Sequence, residues 1–153
     1  MALSTTTIVR RLEDALGHIP EGLRPEIEGR ERAQIVLSHV TAIKAAALVA
    51  DDRGRYILVN DEAARLTGYS KDELLRLSVW DLTPTPNDRE GRRLWSAFLK
   101  AGRQAGEYPL RRKDGRVVPT QYVAVANVLP GIHISLLTRT TRRPRRGILK
   151  PSR

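Results

Sequence analysis

Few side chains in this sequence are suited to covalent or redox chemistry. Its 153 residues include no cysteine, which removes disulfides, thiolate metal sites and a cysteine nucleophile. It also removes any flavin or other chromophore that attaches through sulfur. The three histidines, His18, His39 and His133, are too far apart in the chain for metal-ligand spacing. His18 belongs to an amino-terminal segment, His39 to a helical stretch and His133 to an alternating position of a strand, where a satisfied structural role is expected. Two acidic pairs, Asp51 with Asp52 and Asp81 with Asp88, have the residue type for acid–base catalysis. Both fall at turns and helix starts, where aspartate serves as a cap. No phosphate-cradling glycine loop and no Gly-x-Ser-x-Gly nucleophile turn is present, and no enzyme is expected.

Binding is the chemistry that remains. Aromatic residues are scarce, with 2 Trp, 4 Tyr and 1 Phe, yet Trp80, Trp95 and Phe98 fall close together. Asn60 follows a β-rich run and precedes Asp61-Glu62, so its amide can cap a helix whose first turn carries acids that suit the helix dipole. A hydrogen bond from the same amide could instead report a ligand.

These residues are positioned by elements that can be read directly. Ala46-Ala47-Leu48-Val49-Ala50 reads as a buried strand, Asp51-Asp52-Arg53-Gly54 as a tight turn and Arg55 to Val59 as the returning strand. Asn60 starts a helix that Gly68 ends, and Ser70-Lys71-Asp72-Glu73 forms a capping box for a second helix carrying Leu74, Leu75 and Leu77. After Pro84 and Pro86, Asn87 or Asp88 caps a third helix with Leu94, Trp95, Phe98 and Leu99 on its apolar face, ending at Gly102. Glu107 to Lys113 and Val117 to Val128 are strands joined by an Asp114-Gly115 turn, and Leu129-Pro130-Gly131 leads into a last strand from Ile132. Strands at both ends with helices between them predict an α+β domain of two layers, an antiparallel sheet with short helices on one face.

The stretch from Ala45 to about Thr138 resembles the PAS domain family. Four features carry the resemblance, in order: the hairpin Asp51 to Gly54, Asn60 at the end of the second strand, Gly68-Tyr69-Ser70 through Leu74, and Lys113-Asp114-Gly115. The chain departs from the family at Thr138-Arg139-Thr140-Thr141, which lacks the aspartate of the usual closing segment. The resemblance implies a sensor or protein-interaction module with a cavity between the inner sheet face and the helices. Its implied lining is Leu48, Ile57, Val59, Leu66, Leu75, Trp80, Leu94, Trp95, Phe98, Tyr122 and Ile134. Thr83, Thr85, Thr120 and Gln121 are its polar candidates. A noncovalent small ligand and a core filled by side chains are both compatible with that lining. Flavin light sensors of the family need a cysteine that is missing here, and haem versions take a histidine from the long helix, which has none between Asp88 and Ala101. The cofactor is otherwise unspecified.

Flanking segments complete the organisation. Residues 1–44 read as helical, with Ile8, Val9, Leu12, Ala15, Leu16 and Ile19 at helical spacing and a second helix opening at Pro25. The stripe Ala33, Val36, Leu37, Val40 and Ile43 either caps this chain's own core or pairs with a second copy in a homodimer. Residues 139–153 hold Arg139, Arg142, Arg143, Arg145, Arg146, Lys150 and Arg153 with no acid, most of the net charge of +10. That composition predicts a disordered basic tail, and the alternative function is a nucleic-acid-associated regulator held through Arg142, Arg143, Arg145 and Arg146. No apolar run approaches the roughly 20 residues of a membrane span, and the amino end lacks a signal-peptide pattern. The expected partners are therefore a second copy, a regulatory protein or a small molecule, in the cytoplasm.

Overall fold

The structure is a computed structural model that describes residues 5–18, 29–40, 42–84 and 87–140. Its centre is a five-stranded antiparallel sheet in the order β2-β1-β5-β4-β3. The strands are β1 (Ala46–Ala50), β2 (Tyr56–Val59), β3 (Arg103–Arg111), β4 (Val117–Leu129) and β5 (Ile132–Arg139). Helices α1 (Thr5–Gly17) and α2 (Gly29–Val40) precede the sheet, and α3 (Asp61–Thr67), α4 (Lys71–Leu74), a 3-10 turn (Val79–Leu82) and α5 (Asp88–Ala101) lie between β2 and β3.

Local chemistry explains each boundary. The Asp51 carboxylate accepts from the backbone N–H groups of Arg53 and Arg55 at 2.9 and 3.1 Å, which tightens the β1–β2 turn as an Asx motif. The Asn60 side chain binds three backbone groups. Its Oδ1 accepts from Ala63 at 2.9 Å, capping α3, and from Ala47 at 3.0 Å, while its Nδ2 donates to Ala45 O at 3.0 Å. One amide therefore fastens the first helix of the inner layer to the start of β1. Ser70 and Glu73 form the reciprocal capping box of α4, and Asn87 accepts from Glu90 N to start α5.

Alternation along the strands divides the core in two. Ala47 and Val49 of β1, Ile132, Ile134 and Leu136 of β5 and Val123 of β4 pack on one face with Ile8 and Leu12 of α1 and with the α2 stripe. The other face packs Ala46, Leu48, Ala50, Leu137, Leu110 and Val118 with Ala63, Leu74 and Leu82. The sheet is covered on both sides, which is why β1 is buried at every position.

The expected α+β architecture of an antiparallel sheet with short helices is realised, and the amino-terminal helices cover the opposite face. Of the two alternatives for the stripe Ala33, Val36, Leu37, Val40 and Ile43, the structure supports the cap on this chain's own core. Val36 is 0% and Val40 1% exposed within this single chain, so the sheet itself supplies the apolar surface that a dimer seam would have provided. Strand β3 begins at Arg103, before the expected Glu107, because Gln104 to Gly106 pair with Ala124 to Tyr122 of β4 directly after the Gly102 cap. The second inner helix is only Lys71–Leu74, and Val79–Leu82 forms a 3-10 turn that helical periodicity did not mark. Arg139, expected at the start of the basic tail, is the last residue of β5. Residues 19–28, including the expected helix start at Pro25, and tail residues Arg142, Arg143, Arg145 and Arg146 lie outside the described residues.

Replacing both Val36 and Val40 by Asp places two carboxylates without partners in the outer core. This should destabilise the single chain by about 4 kcal/mol or more. Urea denaturation is expected to show loss of the sheet itself, not a dimer converting to a folded monomer.

Candidate ligand cavity

The inner face of the central strands is built from small side chains. Ala50 of β1, Ser135 of β5 and Ala124 of β4 stand where the outer face carries Val49, Ile134 and Val123. Helix α5 lies across this depression with Trp95 and Phe98 turned inward. The result is a cavity of about 500 Å³, a size that suits a small ligand.

Trp80 fixes how closely α5 approaches. A Cβ built on Gly91 would lie 2.2 Å from Trp80 Cγ, and one on Gly54 would lie 2.7 Å from Trp80 Cζ3. The indole is thus clamped between α5 and the β1–β2 turn, and it fits only because both neighbours are glycine. Gly54 also adopts φ +78°, a second reason for its identity. The Trp80 Nε1–H donates to Asp88 Oδ1 at 2.9 Å, linking the 3-10 turn to the first turn of α5.

A polar node closes the end of the cavity near the β1–β2 turn. His133 is 1% exposed, and its Nδ1 accepts from the Asn127 N–H at 2.9 Å. That bond places the ring proton on Nε2, which donates to Asp52 Oδ1 at 2.8 Å. The Asp52 carbonyl accepts from Trp95 Nε1–H at 2.9 Å. Trp95 also meets the His133 ring edge-on, with centroids 5.5 Å apart. Both imidazole nitrogens are engaged, so His133 has no free nitrogen to offer a haem iron.

Three tyrosines line the cavity: Tyr56 of β2, Tyr108 of β3 and Tyr122 of β4. Burial pushes Tyr108 from 10.0 up to about 12, with the neighbouring Tyr122 adding to the shift. Burial raises Tyr56 well above the ordinary range, helped by Tyr108 and Asp81, and burial also raises Tyr122. All three therefore remain neutral hydroxyls at physiological pH. Glu90 is the one acid on the wall, held below its usual range by its hydrogen bond with Arg93. Neither Lys nor Arg is among the described lining residues.

The expected lining is partly correct. Leu48, Trp80, Leu94, Trp95, Phe98, Tyr122 and Ile134 border the cavity, although Ile134 packs in the outer core and Leu94 is a rim residue, 52% exposed. Ile57 packs against the outer core, because the bulge between Val49 and Ala50 breaks simple alternation in the hairpin. Val59 and Leu66 belong to the inner core beside α3, away from the cavity, and Leu75 lines an open surface depression instead. Thr83 is on the wall, whereas Thr120 satisfies itself by donating to Tyr108 O at 2.7 Å. Gln121 is off the wall, and Thr85 is outside the described residues. Asn60 is a cap and a strand fastener, not a lining group. The missed residues are Tyr56, Tyr108, Gly91 and the His133–Asp52 pair. A signal for the cavity was present in the small residues at alternate positions of β1, β4 and β5.

An antiparallel sheet with short helices enclosing an apolar cavity on one face defines a small sensory domain by architecture. A sequence model of the PAS domain matches residues 44–133, and the chain belongs to the PAS domain family. The fold is similar to that of the PAS domain of an HTR-like protein from Haloarcula marismortui, with a TM-score of 0.58, 19% identity and coverage of 72% of this chain and 93% of that one. A PAS domain from Colwellia psychrerythraea is 25% identical with a TM-score of 0.56, covering 74% and 98%. A third, from a LuxR-family transcriptional regulator of Burkholderia thailandensis, was solved in complex with ethanol. Its TM-score is 0.55 at 16% identity, covering 69% and 96%. No curated protein matches the chain. PAS domains are signal-sensing modules found in sensor kinases and regulators, in general without catalytic activity of their own. No helix among the described residues is long and apolar enough to cross a membrane.

Gly91→Ala forces Trp80 and α5 apart and should cost about 2 kcal/mol or more, measured by urea denaturation with tryptophan emission as the probe. The tyrosines give a pH signature. Their pKa values are raised by folding, so the stabilisation is complete below pH 10, where the unfolded chain begins to ionise, and is lost as pH rises toward 12. The urea midpoint should fall across that window, and Tyr108→Phe should flatten the fall.

Proposed function

We propose that the domain is a sensor whose input is a small, uncharged, largely apolar molecule held in the cavity between α5 and the sheet. The observation that carries this reading is the cavity of about 500 Å³ itself, kept open by small residues on the sheet and by the Trp80 spacer. A side-chain-filled core would have larger residues at Ala50, Ala124 and Ser135. The ethanol complex of the Burkholderia thailandensis domain supports the reading, since that relative of the same fold takes a small neutral molecule.

The output is proposed to leave through the opposite face of the sheet. Arg32 of α2 donates through Nη2 to Pro130 O at 2.6 Å in the β4–β5 turn. The next residue, Gly131, lies against the Asp52 carboxylate that holds His133. Movement of the cavity wall at His133 or Trp95 therefore reaches α2 through two hydrogen bonds and one turn. A regulatory protein or a second copy of the chain reads the outer helices.

Both tryptophans of the chain line the cavity, so intrinsic fluorescence reports occupancy. Ethylbenzene is expected to change the emission of the wild type saturably. Ala124→Leu, which fills the space from the floor, should abolish that response while raising or preserving the melting temperature. Saturable binding that survives Ala124→Leu, or no binding to the wild type, refutes the cavity as the input site.

A further inference from the structure

Resting on that reading, we infer that the cavity selects a neutral ligand bearing a hydrogen-bond acceptor, such as a carbonyl or ether oxygen, which docks on the hydroxyls of Tyr56 and Tyr108. Tyr56 is 5% exposed and lines the cavity. Among the described residues its hydroxyl makes no hydrogen bond, and neither does that of Tyr108. Neither hydroxyl is among the enclosed polar atoms that lack a partner, so both open onto the cavity, where the acceptor of a ligand can take the place of water. Tyr56 belongs to the inner core cluster, Tyr108 packs against it, and both line the cavity, so both O–H groups are available to one ligand.

The rest of the wall decides the ligand's charge. Among the described lining residues Glu90 is the one acid, and none is Lys or Arg. The guanidinium of Arg111 is spent on the carbonyls of Thr83 and Asp81 at 3.1 and 2.6 Å, and that of Arg93 on Glu90. A carboxylate or phosphate would meet negative charge and no counter-ion. The aromatic wall could attract a quaternary ammonium, but such a cation has no acceptor to satisfy the two hydroxyls. An uncharged acceptor on an apolar body answers both conditions, its body against Trp95 and Phe98 and its oxygen at the phenols.

The test uses four probes of similar shape on the full chain: acetophenone, ethylbenzene, benzoate and benzyltrimethylammonium, followed by tryptophan fluorescence. Tyr56→Phe and Tyr108→Phe should each weaken acetophenone by about three- to tenfold, the worth of one neutral hydrogen bond, and leave ethylbenzene unchanged. Benzoate should bind least. Acetophenone indifferent to both substitutions, or tightest binding by either charged probe, overturns the acceptor assignment while leaving the cavity reading intact. Failure of ethylbenzene and acetophenone alike overturns the cavity reading beneath it. A second measurement needs no ligand. Removing an unpartnered hydroxyl should cost nothing, so Tyr56→Phe is expected to melt no lower than the wild type. A clearly lower melting temperature would show that the hydroxyl is already satisfied, and would overturn the assignment.

Discussion

The cavity depends on a buried imidazole whose two nitrogens are both committed. His133 receives the Asn127 amide on Nδ1 and donates from Nε2 to Asp52, and Asp52 in turn receives the Trp95 indole on its carbonyl. Three separate pieces of chain, the β1–β2 turn, the β4–β5 turn and the middle of α5, are thereby tied at one point. Without that tie only the Trp80–Asp88 bond at its start would hold α5 by a polar contact, and its middle would be free to close on the small residues of the sheet. The tie also accounts for Asn127, which adopts φ +53°. Asparagine tolerates this conformation better than most residues, and it turns the amide toward the imidazole.

The opposite end of α5 is set by shape and not by hydrogen bonds alone. Trp80 fills the gap between Gly54 and Gly91 so completely that neither position has room for a methyl group. The helix thus rests on a rigid aromatic spacer near its start and a hydrogen-bonded indole in its middle. The open volume lies between the helix so held and the sheet. A large-to-small contrast across one sheet, Val49, Ile134 and Val123 outside against Ala50, Ser135 and Ala124 inside, makes the outer core dense and leaves the inner one hollow. Dense packing on one side offsets the dispersion energy forgone on the other.

Local signals made most of the fold legible. Asp51 to Gly54, Asn60, Gly68, the Ser70–Glu73 box and Asp114-Gly115 each act over a few residues, and the structure realises each one. The errors arose where the deciding contact is distant in sequence. The α2 stripe looks the same whether it covers its own sheet or a partner's, because periodicity marks an apolar face without naming what covers it. Ile57 is large and apolar, yet the Val49/Ala50 bulge turns it to the outer face. Tyr56, Tyr108 and Gly91 carry no short-range signal for their roles, since each depends on a tertiary neighbour. The small residues at alternate positions were a usable clue, because alanine and serine in central strands mark where a sheet needs room above it.

The same strands carry both cores, so the two faces of the sheet are joined through shared backbone. On β5, His133 and Ser135 look into the cavity while Ile132, Ile134 and Leu136 pack under α1 and α2. On β4, Ala124 and Val123 divide in the same manner. A closely packed interior yields in steps and not continuously, so a ligand that displaces Ser135 or Ala124 by a fraction of an ångström must shift Ile134 and Val123 as well. The outer helices then repack or resist. Arg32 provides the one polar grip of α2 on the β4–β5 turn, and its position beside Gly131 and Asp52 aligns it with the His133 tie. The element securing the cavity is thus also the element that α2 holds, and on the proposed reading occupancy of one face would be felt on the other through the backbone that the two faces share.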